Sequence, residues 1–321
     1  MSNSHSQDSF NDFNVVLLAG GVGGAKLADG LAQILPAEQL TIIVNTGDDF
    51  EHLGLTVCPD LDTVIYRLAG VANDETGWGR AGESWRAMEN LAALDGPNWF
   101  NLGDVDLATH LLRTHLLRGG MSLTAVTQHL CQKLGVNTAV LPMSNQPSPT
   151  KIRSGDTVYP FQEWFVKERW QPCVDEIILP EDVRAPAPVS LALETTDIVI
   201  IAPSNPFVSV APILNVYPIR PMIMDLPRLV LAVSPIVGGD AVKGPAAKMM
   251  REMGLDVSAT AVADYYGELI DGFVYDIQDK GSMDKAEIET LCVDTMMHNA
   301  EDRQRLAKDV LTFAYNLIER G

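Results

Sequence analysis

Runs of apolar residues closed by glycine, proline or short polar residues recur along the chain, and they are the first guide to its architecture. Val15-Val16-Leu17-Leu18-Ala19 is continuous and not alternating, and it ends in glycines. That pattern suits a strand of a parallel sheet covered on both faces. Leu27, Leu31, Ile34 and Leu35 then recur at helical spacing until Pro36, and Leu40-Thr41-Ile42-Ile43-Val44 is the next run. Strand, helix and strand in about thirty residues form a βαβ unit, whose crossover is almost always right-handed. Buried runs return at 197–202 and 228–233, each followed by a turn of polar residues, proline or glycine at 203–206 and 234–239.

The pattern between these runs is less regular. Residues 64–134 read mostly as helix and are too long for a simple crossover, so a helical lobe beside the sheet is expected there. Residues 137–190 predict a small strand-containing insertion around a polar loop at 144–150. A helix is expected at 245–253, short strands at 257–262 and 272–276, and helix over 284–320. The expected fold is α/β: Rossmann-like and doubly wound, with a mainly parallel sheet, helices on both faces and an added helical lobe. The first thirteen residues are mostly Ser, Asn, Asp and Gln and predict a disordered tail. Residues 14–321 then form one elaborated domain.

Composition narrows the function. The 321 residues carry 23 Lys+Arg against 42 Asp+Glu, a formal net charge of −19. Nucleic-acid binders need a basic surface, so no nucleic-acid partner is expected. A small phosphorylated ligand remains compatible, held by backbone N–H groups, a few cations or a carboxylate-bound metal. Cys58, Cys131, Cys173 and Cys292 lack the spacing of a zinc ribbon or redox pair and read as free thiols of a reducing compartment. The chain starts without a cationic, apolar leader, and no apolar stretch reaches the roughly 18–20 residues of a membrane span. A cytoplasmic protein with no membrane partner is expected.

Candidate chemistry clusters at the strand ends. In Gly20-Gly21-Val22-Gly23-Gly24 the glycines would let the backbone approach a diphosphate, with the N-terminus of the next helix behind them. The third glycine of the dinucleotide fingerprint is replaced by Lys26, and no Gly-Lys-Ser/Thr occurs, so the loop is neither a standard dinucleotide turn nor a Walker A loop. It reads either as a phosphate cradle or as a tight strand–helix turn. Lys26 either reaches a phosphate or is solvated.

Asn45-Thr46-Gly47-Asp48-Asp49 follows the second strand, and Pro59-Asp60-Leu61-Asp62-Thr63 comes shortly after. Four carboxylates at one sheet edge repel one another unless a cation sits among them, which points to Mg²⁺ held by Asp48, Asp49, Asp60 and Asp62. The bland alternative makes one of them, Asp60, a helix cap. The stretch 102–110, with Arg113 one turn later, offers Asp104, His110 and Arg113. Asp104 is either a ligand or an N-cap, His110 either a site residue or a satisfied helix histidine, and Arg113 a candidate for an anionic group. Ser204, Asn205, Ser234 and Gly238 lie in the distal turns, where short polar residues and glycines form anion nests.

Eight blocks in order support a resemblance. Residues 16–26, 44–49 and 58–63, the stretch Leu-Gly-Asp-Val-Asp-Leu-Ala-Thr-His at 102–110, Leu-Pro-Met-Ser at 141–144, Phe-Gln-Glu-Trp at 161–164, Pro-Ser-Asn-Pro at 203–206 and Ser-Pro-Ile at 234–236 resemble the 2-phospho-L-lactate transferase family. The resemblance implies a step in making the deazaflavin coenzyme F-420. In it, a phospholactyl-type group passes from a guanosine diphosphate-linked donor to the deazaflavin Fo, GMP is released, and Mg²⁺ is required. The family also implies a homodimer.

Carried over by residue, the Gly20–Gly24 loop, Ser204, Asn205 and Ser234 would face the guanosine diphosphate. Asp48, Asp49, Asp60 and Asp62 would hold metal or acceptor, with Asp62 or Asp49 accepting the ribityl proton. Asn101 stands where some relatives place a charged side chain near the acceptor, and Asn145-Gln146 where relatives often carry acids. The three-carbon group is left open between 2-phospholactate, phosphoenolpyruvate and phosphoglycerate. The rival reading is a non-catalytic, nucleotide-sugar-binding regulator related to gluconeogenesis factors. Such regulators share the glycine loop and Asp pair but look less alike in the 58–63 and 102–110 blocks. A nicotinamide oxidoreductase is disfavoured by the missing third glycine.

Overall fold

The computed structural model describes residues 13–284 and 286–320. The expected tail lies outside them save for Phe13, whose ring meets Tyr315 edge-on at 6.3 Å between centroids.

Chain order begins β1 (Val15–Ala19), α1 (Gly21–Ala32), β2 (Leu40–Val44), a hairpin of β3 (Phe50–His52) and β4 (Leu55–Val57), then α2 (Pro59–Leu68). Three helices follow, α3 (Arg86–Ala93), α4 (Asp104–Arg118) and α5 (Leu123–Lys133), leading into β5 (Ala139–Pro142). A small antiparallel sheet is built from β6 (Lys151–Ser154), β7 (Thr157–Pro160) and β8 (Glu176–Ile178). Next come α6 (Ala187–Thr195), β9 (Ile198–Ile201), α7 (Ala211–Asn215), α8 (Ile219–Asp225) and β10 (Leu229–Val233). The chain continues through the two-residue strands β11 (Ile236–Val237) and β12 (Asp240–Ala241), α9 (Ala246–Glu252), α10 (Ala259–Tyr266), β13 (Gly272–Asp276), β14 (Glu289–Val293) and α11 (Ala300–Ile318).

The main sheet has seven strands in the order β14-β13-β10-β9-β1-β2-β5, all parallel. Its continuous apolar runs follow from two-sided burial. Val16, Leu18, Ile43, Val199 and Ile201 face one core with α6 to α10, while Val15, Leu17, Ile42, Ile198 and Ile200 face another with α1, α2 and α11. Side chains alternate across a strand, so both halves of each run must be apolar. The sheet is thus wrapped by helices on both faces, the expected doubly wound class.

Three local expectations are corrected. Residues 257–262, rich in valine and threonine, read as a strand. Ser258 instead accepts the N–H of Ala261 and caps helix α10. Residues 284–320 are not helical throughout, because Glu289–Val293 pairs in parallel with β13 as an edge strand. The segment expected as a separate insertion from 137 begins with β5, which is the other edge strand of the main sheet beside β2.

Candidate active site

β1, β2, β9 and β10 run parallel, so their carboxyl ends share one edge, where ligands of open α/β sheets bind. The glycine loop lies there. Gly20 is extended at the start of α1, and Gly21 takes φ +62°, a left-handed conformation that costs glycine little. The helix has no side-chain cap and no acid in its own first turn. The Asp60 carboxylate, from the first turn of α2, takes the N–H of Gly21 instead.

The other glycines answer to packing. A Cβ on Gly23 would lie 2.2 Å from the carbonyl oxygen of Pro203, and one on Gly24 would lie 2.9 Å from Oγ of Ser204. The Ser204 hydroxyl accepts from the Gly20 N–H at 3.3 Å and donates to its carbonyl at 2.7 Å. Ser204 therefore staples the turn after β9 onto the loop, with both hydrogen-bonding functions of its hydroxyl engaged by protein. Lys26 points along α1 toward the C-terminal region and donates to the carbonyl of Met297 at 2.6 Å. Burial, then Lys243, Arg67 and Arg303, lower its pKa.

Two buried acidic groups meet this edge. In the first, the Asn45 amide nitrogen donates to Asp48 Oδ1 at 2.8 Å and to Asp60 Oδ2 at 2.9 Å. Its orientation is fixed because its Oδ1 accepts the Gly47 N–H at 2.7 Å. Gln162 donates to the other Asp48 oxygen at 3.3 Å, and Thr46 pairs with Ser148 at 3.2 Å. Burial, with Asp60 and Asp49 nearby, pushes the Asp48 carboxyl well above its usual range. Burial likewise raises Asp60, to about 6, against the N–H bonds of Asn45 and Gly21.

Asp49 is adjacent. Its Oδ1 is buried with no hydrogen-bond partner among the described residues, and burial pushes the carboxyl well up despite a bond from the Cys58 thiol. Carboxylate oxygens crowd at a phosphate-type loop and one of them is orphaned, chemistry that suits a hard cation, although Asp48, Asp49 and Asp60 do not reach the three-ligand spacing of a metal triad.

The second group spans two helices. On α4, Asp106, His110 and Arg113 are spaced by four and three residues and so share one face; on α2, Asp62 and Tyr66 do the same. Arg113 grips both oxygens of Asp62, with Nη1 3.1 Å from Oδ2 and a second contact from Nη2 to Oδ1. His110 presents Nδ1 to Arg113 Nη1 at 3.2 Å and turns Nε2 toward Asp106. That Nε2 is 3.4 Å from Asp106, whose other oxygen receives the Tyr66 hydroxyl at 2.5 Å. Burial raises Asp62 against the pull of Arg113 and His110. Burial acts on Asp106 too, but His110, Tyr66 and Arg113 outweigh it and its carboxyl is lowered. Asp62, Asp106 and His110 bring one ligand atom each within 4.8 Å of one another, the spacing of a metal triad.

The structure thus brings Asn45, Asp48, Asp49 and Asp60 together, and Asp62, His110 and Arg113 together. Asp106, Tyr66 and Gln162 were not among the sequence candidates, although Asp106 and Gln162 stand in the blocks at 102–110 and 161–164 and Asp106 lies four residues before His110. The remaining candidates do other work here. Asp104 accepts the N–H groups of Arg86 and Ala87 and so caps the neighbouring helix α3. Asn205 caps the turn after β9 through the N–H groups of Phe207 and Val208. Ser234 closes its own turn onto Ile236, and Gly238, with φ +60°, donates to Asp279. Asn101 is exposed. Asn145 holds the start of α5 through Thr124, and Gln146 accepts the Arg184 N–H. No helix among the described residues is long and apolar enough to cross a membrane.

Known proteins similar to this chain are transferases. The family model of 2-phospho-L-lactate transferase CofD matches residues 15–314. A phosphoenolpyruvate transferase of Streptomyces griseus is 40% identical over 311 residues, 94% of this chain and 98% of that protein. One from Kitasatospora aureofaciens is 41% identical over 314 residues, 94% and 97%. A 2-phospho-L-lactate transferase of Methanosarcina acetivorans is 37% identical over 306 residues, 92% and 98%. Among solved structures, a member of the UPF0052 family from Bacillus halodurans superposes with a TM-score of 0.61, covering 93% of this chain and 98% of that one. Its 16% identity makes this a likeness of fold alone. With a family match spanning nearly the whole sheet and its helices, the chain belongs to the 2-phospho-L-lactate transferase CofD family, a family of transferases at the level of coenzyme F-420 biosynthesis.

Proposed function

We propose that this protein transfers a phosphorylated three-carbon acid from a guanosine diphosphate-linked donor to the ribityl hydroxyl of the deazaflavin Fo, releasing GMP. The observation that carries the reading is the orphaned, buried Asp49 oxygen between the glycine loop and the α2–α4 charge cluster. The acceptor oxygen forms a bond to the phosphorus that carries the three-carbon group. The bridging P–O bond breaks, GMP leaves with the electron pair, and the hydroxyl proton passes to a carboxylate.

Asp49 is the acceptor of that proton in this proposal. Both oxygens of Asp62, the other candidate, are gripped by Arg113, whereas Asp49 keeps one oxygen bare and its affinity for a proton is raised by burial. Arg113, held as a cation by Asp62, faces the charge that develops on phosphate oxygens. The loop and the N-terminus of α1 cradle the diphosphate. Mg²⁺ would be held by Asp48 and Asp60, where it would supply charge neutralisation to phosphate oxygens.

Enolpyruvyl phosphate is the three-carbon group in this reading. Phosphoenolpyruvate transferases at 39–41% identity, against 35–37% for 2-phospho-L-lactate transferases, support it. A homodimer working in the cytoplasm completes the proposal, and light scattering of the purified chain tests the first part. The reaction is tested by incubating the protein with Fo, Mg²⁺ and each of the three donors, then weighing the products. The expected result is a phosphodiester of Fo, formed most rapidly from the enolpyruvyl donor. No product from any donor overturns the reading.

A further inference from the structure

Four rings crowd together beside the charge cluster. Phe50 and His52 lie on one face of β3, and Trp99 and Phe100 come from the loop ahead of α4. All six pairs have centroids between 4.8 and 6.0 Å. The hairpin that carries two of them is fastened to α4, because the Thr56 N–H donates to Thr114 and Arg113 reaches the Thr56 carbonyl. Phe50 also follows directly on Asp49.

A mini-core would explain the three apolar rings, but it does not explain the histidine. His52 is 5% exposed, and its Nε2 is buried without a hydrogen-bond partner among the described residues. The ring otherwise meets the backbone of Phe100, a contact that raises its pKa. Burial lowers the pKa overall. The result is a bare ring nitrogen walled by aromatics, a costly arrangement unless something arrives to use it. Phe50, Trp99 and Phe100 are only part-buried, so ring surface stays open to a visitor.

We propose that Trp99, Phe100 and His52 form the platform for a planar heteroaromatic acceptor, its ring stacked on the aromatic faces and one of its N–H or O–H groups donated to His52 Nε2. This rests on the deazaflavin reading given above and adds the residues that select the ring system. Stacking gives area and orientation, while the single acceptor nitrogen discriminates between ring edges that carry a hydrogen and edges that do not.

The test is fluorescence titration of the full chain with Fo, paired with a guanine nucleotide titration, for the wild type, Trp99→Leu and His52→Phe. The second variant keeps an aromatic ring in the cluster and removes both ring nitrogens, Nε2 and the one that meets the Phe100 backbone. Melting curves confirm that each variant folds. The expected result is Fo binding weakened about tenfold in each variant, with guanine nucleotide binding within about twofold of wild type. In turnover the same variants raise the KM for Fo and leave the KM for the donor. Fo bound equally by wild type and both variants overturns the platform and leaves the transfer reaction standing. Fo not bound by the wild type overturns both.

Discussion

At the scale of single residues, the four adjacent aspartates separate into different jobs. Asp48 and Asp60 share the Asn45 amide, Asp62 is spent on Arg113, and Asp49 alone keeps an idle oxygen. Asp49→Asn should therefore lower kcat by about 100-fold or more while KM for both substrates stays within about twofold, as expected for loss of a proton acceptor. Steady-state kinetics of the folded variant checks this. Arg113→Met should lower stability by on the order of 3–5 kcal/mol, because it strands a buried carboxylate. Adding Asp62→Asn should recover most of that loss, as denaturant titrations of the single and double variants would show. The Asp clusters were visible in the chain as motifs, but their division of labour was not. It depends on Arg113 and Asn45, whose contacts lie 51 and 15 residues away in sequence.

At the scale of elements, the glycine loop shows how packing and chemistry share one motif. Read as a phosphate cradle, its glycines are permissive; in the fold, Gly23 and Gly24 also leave room for the Pro203-Ser204 turn, and Gly30 for the backbone of α11. Gly23→Ala should cost on the order of 1–3 kcal/mol or more, because the new methyl meets a backbone carbonyl that cannot swing aside. Thermal melts check this, and a stability equal to wild type would mean that the turn after β9 moves freely. The buried central strands were legible because each run is apolar on both faces. Edge strand β14, Glu-Thr-Leu-Cys-Val, was not, since an edge strand half open to solvent loses that signature. Helix α10 was masked by its β-branched residues although its serine cap was in the sequence.

At the scale of the molecule, a net charge of −19 is concentrated in part into one buried edge, and that ties stability to pH and to cations. Asp60 has a folded pKa of about 6 against an ordinary 3.8. A raised carboxylate stabilises fully below its unfolded pKa and loses that contribution as pH climbs through the folded one. The metal-free wild type, compared with Asp60→Asn, should therefore lose melting temperature between about pH 4 and pH 7, by on the order of 5 °C. Mg²⁺ should restore it near pH 7 and have little effect near pH 4.5, since the cation competes with the proton. Calorimetric scans of the two proteins across that range, with and without Mg²⁺, decide it. The doubly wound class was readable from the order of apolar runs alone. The contact of Phe50 and His52 with Trp99 and Phe100 was not, because the two pairs sit 47 to 50 residues apart in the chain and meet only when the β3–β4 hairpin docks on α4.

The central claim is that a hydroxyl of Fo displaces GMP from the donor at this edge. The most direct measurement is the amount of GMP released per Fo consumed, with Mg²⁺ present, for the wild type and for Asp49→Asn. One GMP per Fo in the wild type, and a rate about 100-fold lower with the same ratio in the variant, is the predicted result. GMP released without loss of Fo, or an Asp49→Asn variant as fast as wild type, would contradict it.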